Sequence, residues 1–244
     1  MRSIFKNSIN RTSNALKLLS LEAIFVLVAF FFSIILVAFL IKQVFLDKTF
    51  PIDYQVFDLF KGYVSDATTS FFSFFTFFGS HKFLVPANLM LMACAFFIMR
   101  DKWFGIKVTA VAFSSLFMMF ALKMFFNRPR PEIPLLDKVA GLSFPSGHAF
   151  MSFAFFGLLI YIFHKQVKNI FLKYLLIAAC FSIIIIIGLS RIYLRVHYAS
   201  DVMAGMAIGL IWLVVSLTII NYIEKKKKKQ KLVIADPQTK SADL

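Results

Sequence analysis

The feature that most constrains this chain is a series of six apolar runs, each about as long as a membrane-crossing helix. A helix needs about 20 mainly apolar residues to cross a bilayer. The first run contains Ser33 as its only polar member. The runs cover residues 23–41, 83–99, 108–126, 148–163, 174–189 and 202–223, and the second leaves room for an earlier start. We therefore expect six transmembrane segments.

The continuous hydrophobicity of these runs favours helices. Backbone polar groups must be satisfied within lipid, which restricts spanning segments to helices or a closed barrel. The runs are continuous rather than alternating, which excludes the barrel. Hydrophobic residues make up 60% of the chain and charged residues only 16%, against roughly a quarter charged in ordinary soluble domains.

The first run is too long for a signal-peptide core, and Lys42-Gln43 offers no small-residue cleavage site, so we interpret it as a retained span. The sequence predicts an all-α integral membrane protein.

The basic residues predict the orientation of the spans. Cytoplasmic segments of membrane proteins carry an excess of Lys and Arg. With both termini cytoplasmic, the inner side holds Arg2, Lys6, Arg11, Lys17, Arg100, Lys102, Lys107, Lys165, Lys168, Lys173, Lys225 to Lys229, Lys231 and Lys240, which is most of the 27 basic residues. The chain then divides into a cytoplasmic N-terminal segment (1–22), a six-span domain (23–223) and a basic cytoplasmic tail (224–244).

The net charge of +15 raises the question of nucleic acid. The largest basic cluster is the run Lys225–Lys229, directly after the last span. Basic clusters in that place contact anionic lipid headgroups. We therefore expect lipid headgroups, and no nucleic acid, as the partner of this run.

Two further segments have a recognisable pattern. Residues 51–66 place Ile52, Val56, Phe57, Phe60 and Tyr63 at helical intervals, which predicts a short amphipathic helix on the outer membrane surface. The Phe-rich stretch 71–78 is expected to face lipid or to pack against other helices, rather than to bind a ligand.

A set of polar residues falls on the outer side in this six-helix arrangement, although it comes from three places in the sequence. Ionisable residues near membrane depth are costly and indicate function. The set comprises Lys123, Arg128, Arg130, Ser146, Gly147, His148, Arg191, Arg195, His197 and Asp201. We expect these residues to meet at one level of the membrane.

The residue types in this set suit the handling of a phosphoryl group. Lys123, Arg130 and Arg191 supply three positive charges, and arginine binds phosphate oxygens in bidentate fashion. Ser146-Gly147-His148 begins a helix, whose N–H groups form an anion site. Two histidines fit a two-step displacement, in which one attacks phosphorus and the other protonates the leaving oxygen. Asp201 follows His197 by four residues and would hold its far nitrogen, although it would also suit a role as a helix cap.

Together these residues carry a family resemblance. Lys123-x6-Arg130-Pro131, Pro145-Ser146-Gly147-His148 and Ser190-Arg191-x5-His197-x3-Asp201 resemble the three signature motifs of the type 2 phosphatidic acid phosphatase family. This family is the lipid-phosphatase branch of the vanadium haloperoxidase superfamily. The resemblance covers residues 71–223 and includes the number of spans.

The resemblance implies a role for each motif residue. His197 would be the nucleophile that forms a phosphohistidine, Asp201 its orienting carboxylate, and His148 the general acid and then the base. The phosphate-binding residues would be Lys123, Arg130, Ser146, Gly147 and Arg191. Such proteins need no metal or cofactor. Arg128 and Arg195 lie outside the fixed positions, and we expect them to be solvated or to contact lipid headgroups.

The expected function is hydrolysis of a phosphate monoester or diphosphate on a membrane lipid at the outer face of a bacterial plasma membrane. By analogy the favoured substrate is undecaprenyl diphosphate, which would give undecaprenyl phosphate. Phosphatidylglycerophosphate and phosphatidic acid remain alternatives. Two other hypotheses remain: a non-catalytic protein that binds or transports an anionic lipid, and a transferase that passes the phosphoryl group to an acceptor other than water.

Overall fold

In the computed structural model of the protein, residues 21–47, 51–135 and 141–235 are described. Within these ranges the secondary structure is helical and contains no strand. The α-helices are α1 (Leu21–Ile41), α2 (Ile52–Lys61), α3 (Asp66–Phe77), α4 (His81–Ala93), α5 (Lys102–Phe126), α6 (Gly147–Gln166), α7 (Ile170–Tyr193) and α8 (Ala199–Ala235). Short π-helical turns, Lys42–Leu46 and Cys94–Ile98, extend α1 and α4. The basic residues at 2, 6, 11, 17 and 240 lie outside the described residues.

Six helical segments of the described chain are long and apolar enough to cross a membrane, as predicted. They are α1 with its π-turn, α3 with α4, and each of α5, α6, α7 and α8. The observed helices extend beyond the apolar runs, because a helix continues through polar residues that an apolar run excludes. The clearest case is α8, which continues through the lysine run to Ala235.

The Phe-rich stretch forms most of α3 and has two different faces. Phe71, Phe74 and Phe77 are exposed on the outside of the helix bundle, where lipid would lie. Phe72 packs against the buried ring of Tyr193, with 4.5 Å between the ring centroids. The expected packing surface is therefore present on one side of α3, and contact of the exposed side with lipid stays a prediction.

Helix α6 forms the centre of the bundle and is flanked by α7 and α8. Its backbone approaches α8 closely at two glycines. A Cβ on Gly209 would lie 2.9 Å from Cβ of Phe153, and one on Gly205 would lie 2.7 Å from the carbonyl oxygen of Ser146. Glycine at these positions lets α8 lie directly against the first turn of α6, which carries Gly147 and His148.

The two ends of the bundle differ in chemistry. At one end Lys107 of α5 pairs with Glu224 of α8 at 2.7 Å, and Glu22 of α1 lies 3.3 Å from His164 of α6. The start of α1 and the basic end of α8 therefore lie at the same end. The other end holds the end of α5, the start of α6, the end of α7 and the start of α8, where the motif residues are found.

The predicted amphipathic helix is present as α2. It is shorter than the predicted segment, since it ends at Lys61 and Asp66 already begins α3. Val56, Phe57 and Phe60 pack against the buried residues Ile192 of α7 and Ala199 and Val202 of α8. Helix α2 is therefore fixed against the motif-bearing end of the bundle.

Candidate active site

The eight predicted site residues meet at one end of the bundle because four helices begin or end there. Lys123 lies in the last turn of α5 and Arg191 in the last turn of α7. Ser146 is the N-cap of α6, and Asp201 lies in the first turn of α8. The loops between these helices add Arg130 and His197, whose Nη1 and Nε2 atoms are 3.3 Å apart. His148 lies in the first turn of α6 and lines the same groove as Lys123.

His197 is buried and held between two kinds of partner. Its Nδ1 faces Oδ2 of Asp201 at 3.6 Å, and its Nε2 faces Arg130. Oγ of Ser143 lies 3.4 Å from the same Nδ1 and donates a short hydrogen bond to Oδ2 of Asp201. This network assigns the proton to Nδ1 and leaves the lone pair of Nε2 directed at the basic residues. Nε2 therefore has the geometry of a nucleophile.

The protonation of His197 suits the same role. Burial lowers the pKa of His197 to about 4; Asp201 opposes this shift, and the charges of Arg130 and Arg191 add to it. The imidazole is therefore neutral at pH 7. Only the neutral form carries the lone pair that attacks phosphorus.

Asp201 makes two kinds of contact. Its Oδ2 accepts a hydrogen bond from the backbone N–H of Tyr198 at 2.9 Å, which is the reach-back contact of a helix-capping box. The same oxygen faces His197. The two interpretations considered from the sequence, a helix cap and an orienting carboxylate, are therefore compatible.

Arg130 and Arg191 are each held by hydrogen bonds to oxygen atoms of the protein, and some of their N–H donors remain available for a ligand. Arg130 donates from Nε to the carbonyl of Gly141 at 3.0 Å and from Nη1 to that of Val196 at 2.9 Å. Arg191 donates from Nη1 to Oγ1 of Thr76 at 2.7 Å. Its buried Nε has no partner among the described residues. Because buried donors are normally satisfied, the free Nε indicates a place for an anionic oxygen.

The first turn of α6 lies beside these basic residues. Ser146 accepts a hydrogen bond from the backbone N–H of Ala149, and its own N–H donates to the carbonyl of Asp201 at 2.9 Å. A Cβ on Gly147 would lie 3.8 Å from Nζ of Lys123. The start of the helix, with its positive dipole end, therefore faces the lysine ammonium across a small gap, which suits a phosphate group.

A groove with a volume of about 460 Å³ leads from these residues along α4, α5 and α6. Lys123, Gly147 and His148 line its polar end. The rest is lined by the polar residues His81 and Asn88 and mostly by apolar side chains, including Leu84, Val85, Leu89, Phe113, Leu116 and Phe120. Several of them are exposed on the outer surface of the bundle. The groove therefore connects a basic site to the surface that would face lipid.

The comparison with known families supports the motif assignment. Residues 103–225 match the PAP2 superfamily. The chain belongs to this superfamily. The matched PAP2 region contains all eight predicted site residues, and the resemblance inferred from the motifs is confirmed.

Two curated relatives share part of the chain. Phosphatidylglycerophosphatase B of Bacillus subtilis (strain 168) is 29% identical over 137 residues, which cover 54% of this chain and 66% of the relative. A bacitracin transport permease protein, BcrC of Bacillus licheniformis, is 32% identical over 115 residues, which cover 45% of this chain and 52% of the relative. The chain thus spans between half and two thirds of the length of these proteins.

Two crystal structures share the PAP2 fold. A transmembrane PAP2 type phosphatidylglycerolphosphate phosphatase from Bacillus subtilis superposes with a TM-score of 0.69 at 24% identity and covers 81% of this chain and 96% of its own. Aquifex aeolicus LpxE superposes with a TM-score of 0.51 at 30% identity and covers 68% of this chain and 94% of its own. The helical membrane architecture predicted from the sequence is therefore that of known PAP2 proteins.

One expectation about the PAP2 site was wrong. Arg128 was expected to be solvated or to contact headgroups, but its side chain is only 15% exposed. It donates to Oδ1 of Asp201 at 2.6 Å and to Oδ2 of Asp53 at 2.8 Å. The reason is that two buried carboxylates flank it: burial alone would lower the pKa of Arg128, but the charges and hydrogen bonds of Asp201 and Asp53 raise it.

Three polar residues that contact the PAP2 site were missed from the sequence. Asp53 lies on the same face of α2 as Val56, Phe57 and Phe60, and a carboxylate on an apolar face was the available signal. Thr76 was a polar position among phenylalanines, and Ser143 had no distinguishing pattern. Asp53 and Thr76 both lie outside the matched region, so the site extends beyond it.

Proposed function

We propose that this protein is an integral membrane phosphatase that hydrolyses a phosphate monoester or diphosphate on a lipid through a phosphohistidine at His197. The observation that carries this proposal is the position of the neutral His197 imidazole. Its Nδ1 faces Asp201 and its Nε2 faces the basic residues. Phosphatases of this kind rely on placing charged donors around the transferred group.

The proposed reaction has two steps. In the first, Nε2 of His197 attacks phosphorus while the bond to the leaving oxygen breaks, and His148 gives its proton to that oxygen. In the second, water attacks the phosphohistidine, His148 takes the proton of the water, and inorganic phosphate leaves. Lys123, Arg130, Arg191, Ser146 and the amide of Gly147 would hold the phosphate oxygens in both steps.

The groove supports a lipid as the carrier of the phosphate. Its apolar walls suit a hydrocarbon tail, while its polar end places the headgroup beside His148 and Lys123. A tail lying there would remain in contact with surrounding lipid, since groove residues such as Leu89 and Phe120 are exposed on the outside of the bundle.

The favoured substrate is undecaprenyl diphosphate, for which the leaving group would be undecaprenyl phosphate. This preference rests on analogy, because the site residues determine the reaction and not the alcohol. Phosphatidylglycerophosphate and phosphatidic acid are the alternatives. The name of one relative, phosphatidylglycerophosphatase B, supports the first of these alternatives.

The proposed orientation places both termini in the cytoplasm and the site at the outer face of a bacterial plasma membrane. In its support, the lysine run 225–229 lies at the opposite end of the bundle from His197, and basic segments favour the cytoplasmic side. We propose that this run contacts anionic headgroups of the inner leaflet.

The direct test is phosphate release by the purified protein in detergent with EDTA present. The panel contains undecaprenyl diphosphate, phosphatidylglycerophosphate and phosphatidic acid, each with the wild type and with His197→Ala. Release that is lost in His197→Ala is expected, and the substrate with the highest kcat/KM identifies the lipid. No release by the folded wild type would favour the binding or transport reading, and release that requires an added alcohol would favour the transferase reading.

A further inference from the structure

Helix α2 packs against the bundle mainly through apolar side chains, but it also carries one buried carboxylate, Asp53. Asp53 is only 1% exposed, whereas Asp58 on the same helix is 63% exposed and pairs with Lys61 at the surface. A buried carboxylate is costly unless it is paired and hydrogen-bonded. The hydrogen-bond partners of Asp53 therefore indicate what the buried carboxylate does.

Both oxygens of Asp53 bind residues that surround the proposed nucleophile. Oδ1 accepts from the backbone N–H of Ser200 at 2.8 Å. Oδ2 accepts from Oγ of Ser200 at 2.7 Å and from Nη2 of Arg128 at 2.8 Å. Asp53 thus holds the first turn of α8 and the Arg128 guanidinium in one arrangement.

Arg128 connects Asp53 to the orienting carboxylate. Its Nη1 donates to Oδ1 of Asp201 at 2.6 Å and to Oγ of Ser200 at 2.8 Å. The guanidinium carbon lies 4.1 Å from the centre of the Tyr198 ring, which covers one face. The charge of Arg128 is shared by two carboxylates, so it is not directed at a phosphate as those of Arg130 and Arg191 are.

The two oxygens of Asp201 therefore contact different partners. Arg128 holds Oδ1, while Oδ2 faces Nδ1 of His197 and accepts from Ser143 and from the N–H of Tyr198. With Oδ1 fixed, the carboxylate plane is set and Oδ2 stays directed at the imidazole. An imidazole held in this way keeps its proton on Nδ1 and its lone pair on Nε2.

We propose that Asp53 and Arg128 are positioning residues for His197, acting through Asp201, and that α2 is thereby a working part of the site. This inference rests on the proposed function of His197. The alternative is that the Asp53–Arg128–Ser200 contacts only attach α2 to the bundle. The two readings differ in what they predict for the chemical step in a folded variant.

The test uses Asp53→Asn and Arg128→Lys in the full-length protein. Asparagine keeps the shape of Asp53 without its charge, and lysine keeps the charge of Arg128 but cannot bridge two carboxylates. Asp58→Asn on the same helix is the matched control. We expect kcat to fall about 10- to 100-fold, the loss typical when a residue that orients a metal ligand is replaced, with KM within about twofold. Each variant also weakens a buried ion pair, so the melting temperature should fall as well.

Asp53 and Arg128 should also act as one unit. In the double variant, the loss in kcat should be close to that of the larger single variant rather than the product of both. ¹⁵N NMR of histidine-labelled protein gives a reading that does not need turnover. We expect the variants to shift His197 from the Nδ1–H tautomer toward the Nε2–H tautomer, while Asp58→Asn does not.

The outcomes separate this inference from the proposed function. An unchanged kcat and an unchanged His197 tautomer in folded Asp53→Asn or Arg128→Lys would overturn the positioning role, even with an active wild type. So would a loss in kcat that multiplies in the double variant. An inactive wild type would overturn the proposed function, and the tautomer measurement would still decide whether Asp53 and Arg128 orient His197. If Asp53→Asn does not fold, Arg128→Lys decides alone.

Discussion

At the scale of single residues, the site depends on holding a neutral histidine in a strongly basic surrounding. Nη1 of Arg130 lies 3.3 Å from Nε2 of His197, and the charges of Arg130 and Arg191 both disfavour a positive charge on the ring. Asp201 alone would favour the protonated ring, but burial outweighs it. Burial is therefore the main reason that the His197 ring stays neutral, and the cations that would bind phosphate add to its effect.

The protonation of His197 is directly measurable. Because burial lowers its pKa to about 4, the imidazole should stay neutral as the pH falls from 8 through 5 and should take up a proton only near pH 4. A ¹⁵N NMR titration of histidine-labelled protein in detergent measures this, with His197→Ala to assign the signal. A midpoint near the ordinary value of about 6.5 would contradict the account.

Thr76 provides a second prediction at this scale. Its Oγ1 accepts from Nη1 of Arg191 at 2.7 Å, and hydrogen bonds to charged groups contribute about 1.5–3 kcal/mol. Thr76→Val should therefore weaken phosphate binding and raise KM, or the Ki for inorganic phosphate, by about 10-fold, with a smaller change in kcat. Thr109→Val, which removes a hydroxyl bonded within α5 at the other end of the bundle, is the control. Equal effects of the two variants would argue against a role in binding.

At the scale of helices, the apolar runs predicted the six spans because a bilayer demands length and hydrophobicity together. They did not predict the ends of the helices, as the extension of α8 through the lysines shows. The motifs predicted that Lys123, His148 and His197 would meet, because the ends of successive spans alternate between two sides. The pairing of Asp53 with Arg128 joins residues 75 positions apart. Nothing local in the sequence encodes that contact.

The groove between α4, α5 and α6 leads to a prediction for these helices. Leu116 lines it, whereas Phe117 on the same helix does not and is 74% exposed. Leu116→Trp should partly fill the groove and raise KM several-fold for a long-chain lipid phosphate, while turnover of a short-chain analogue stays close to wild type. Phe117→Trp is the matched control. A similar effect on both substrates would mean that the tail lies elsewhere.

For the molecule as a whole, the proposed orientation requires the site and the lysine run to lie on opposite sides of the membrane. Helices α5 and α8 connect these two ends, with Lys107 and Glu224 paired at the basic end and Lys123 and Asp201 at the other. The proposed orientation then follows from the positive-inside rule. It places the groove and its headgroup end toward the outer leaflet.

Accessibility of single cysteines tests this orientation. In a background with Cys94→Ser and Cys180→Ser, the Asp58→Cys variant lies at the site end and Lys168→Cys at the opposite end. A membrane-impermeant maleimide added to intact bacterial cells should label Asp58→Cys, and should label Lys168→Cys only after the cells are permeabilised. The reverse pattern would place the site in the cytoplasm and would contradict the proposed orientation.

If the phosphoryl group passes through His197, the phosphohistidine intermediate can be trapped on the protein. Lipid substrate with a ³²P-labelled terminal phosphate is mixed with purified protein, and the reaction is quenched with alkali within the first turnover. We expect label on the protein that is stable in alkali, is lost in acid, maps to the peptide containing His197, and is absent from His197→Ala. Turnover by the wild type without such label, or label that persists in His197→Ala, would contradict it.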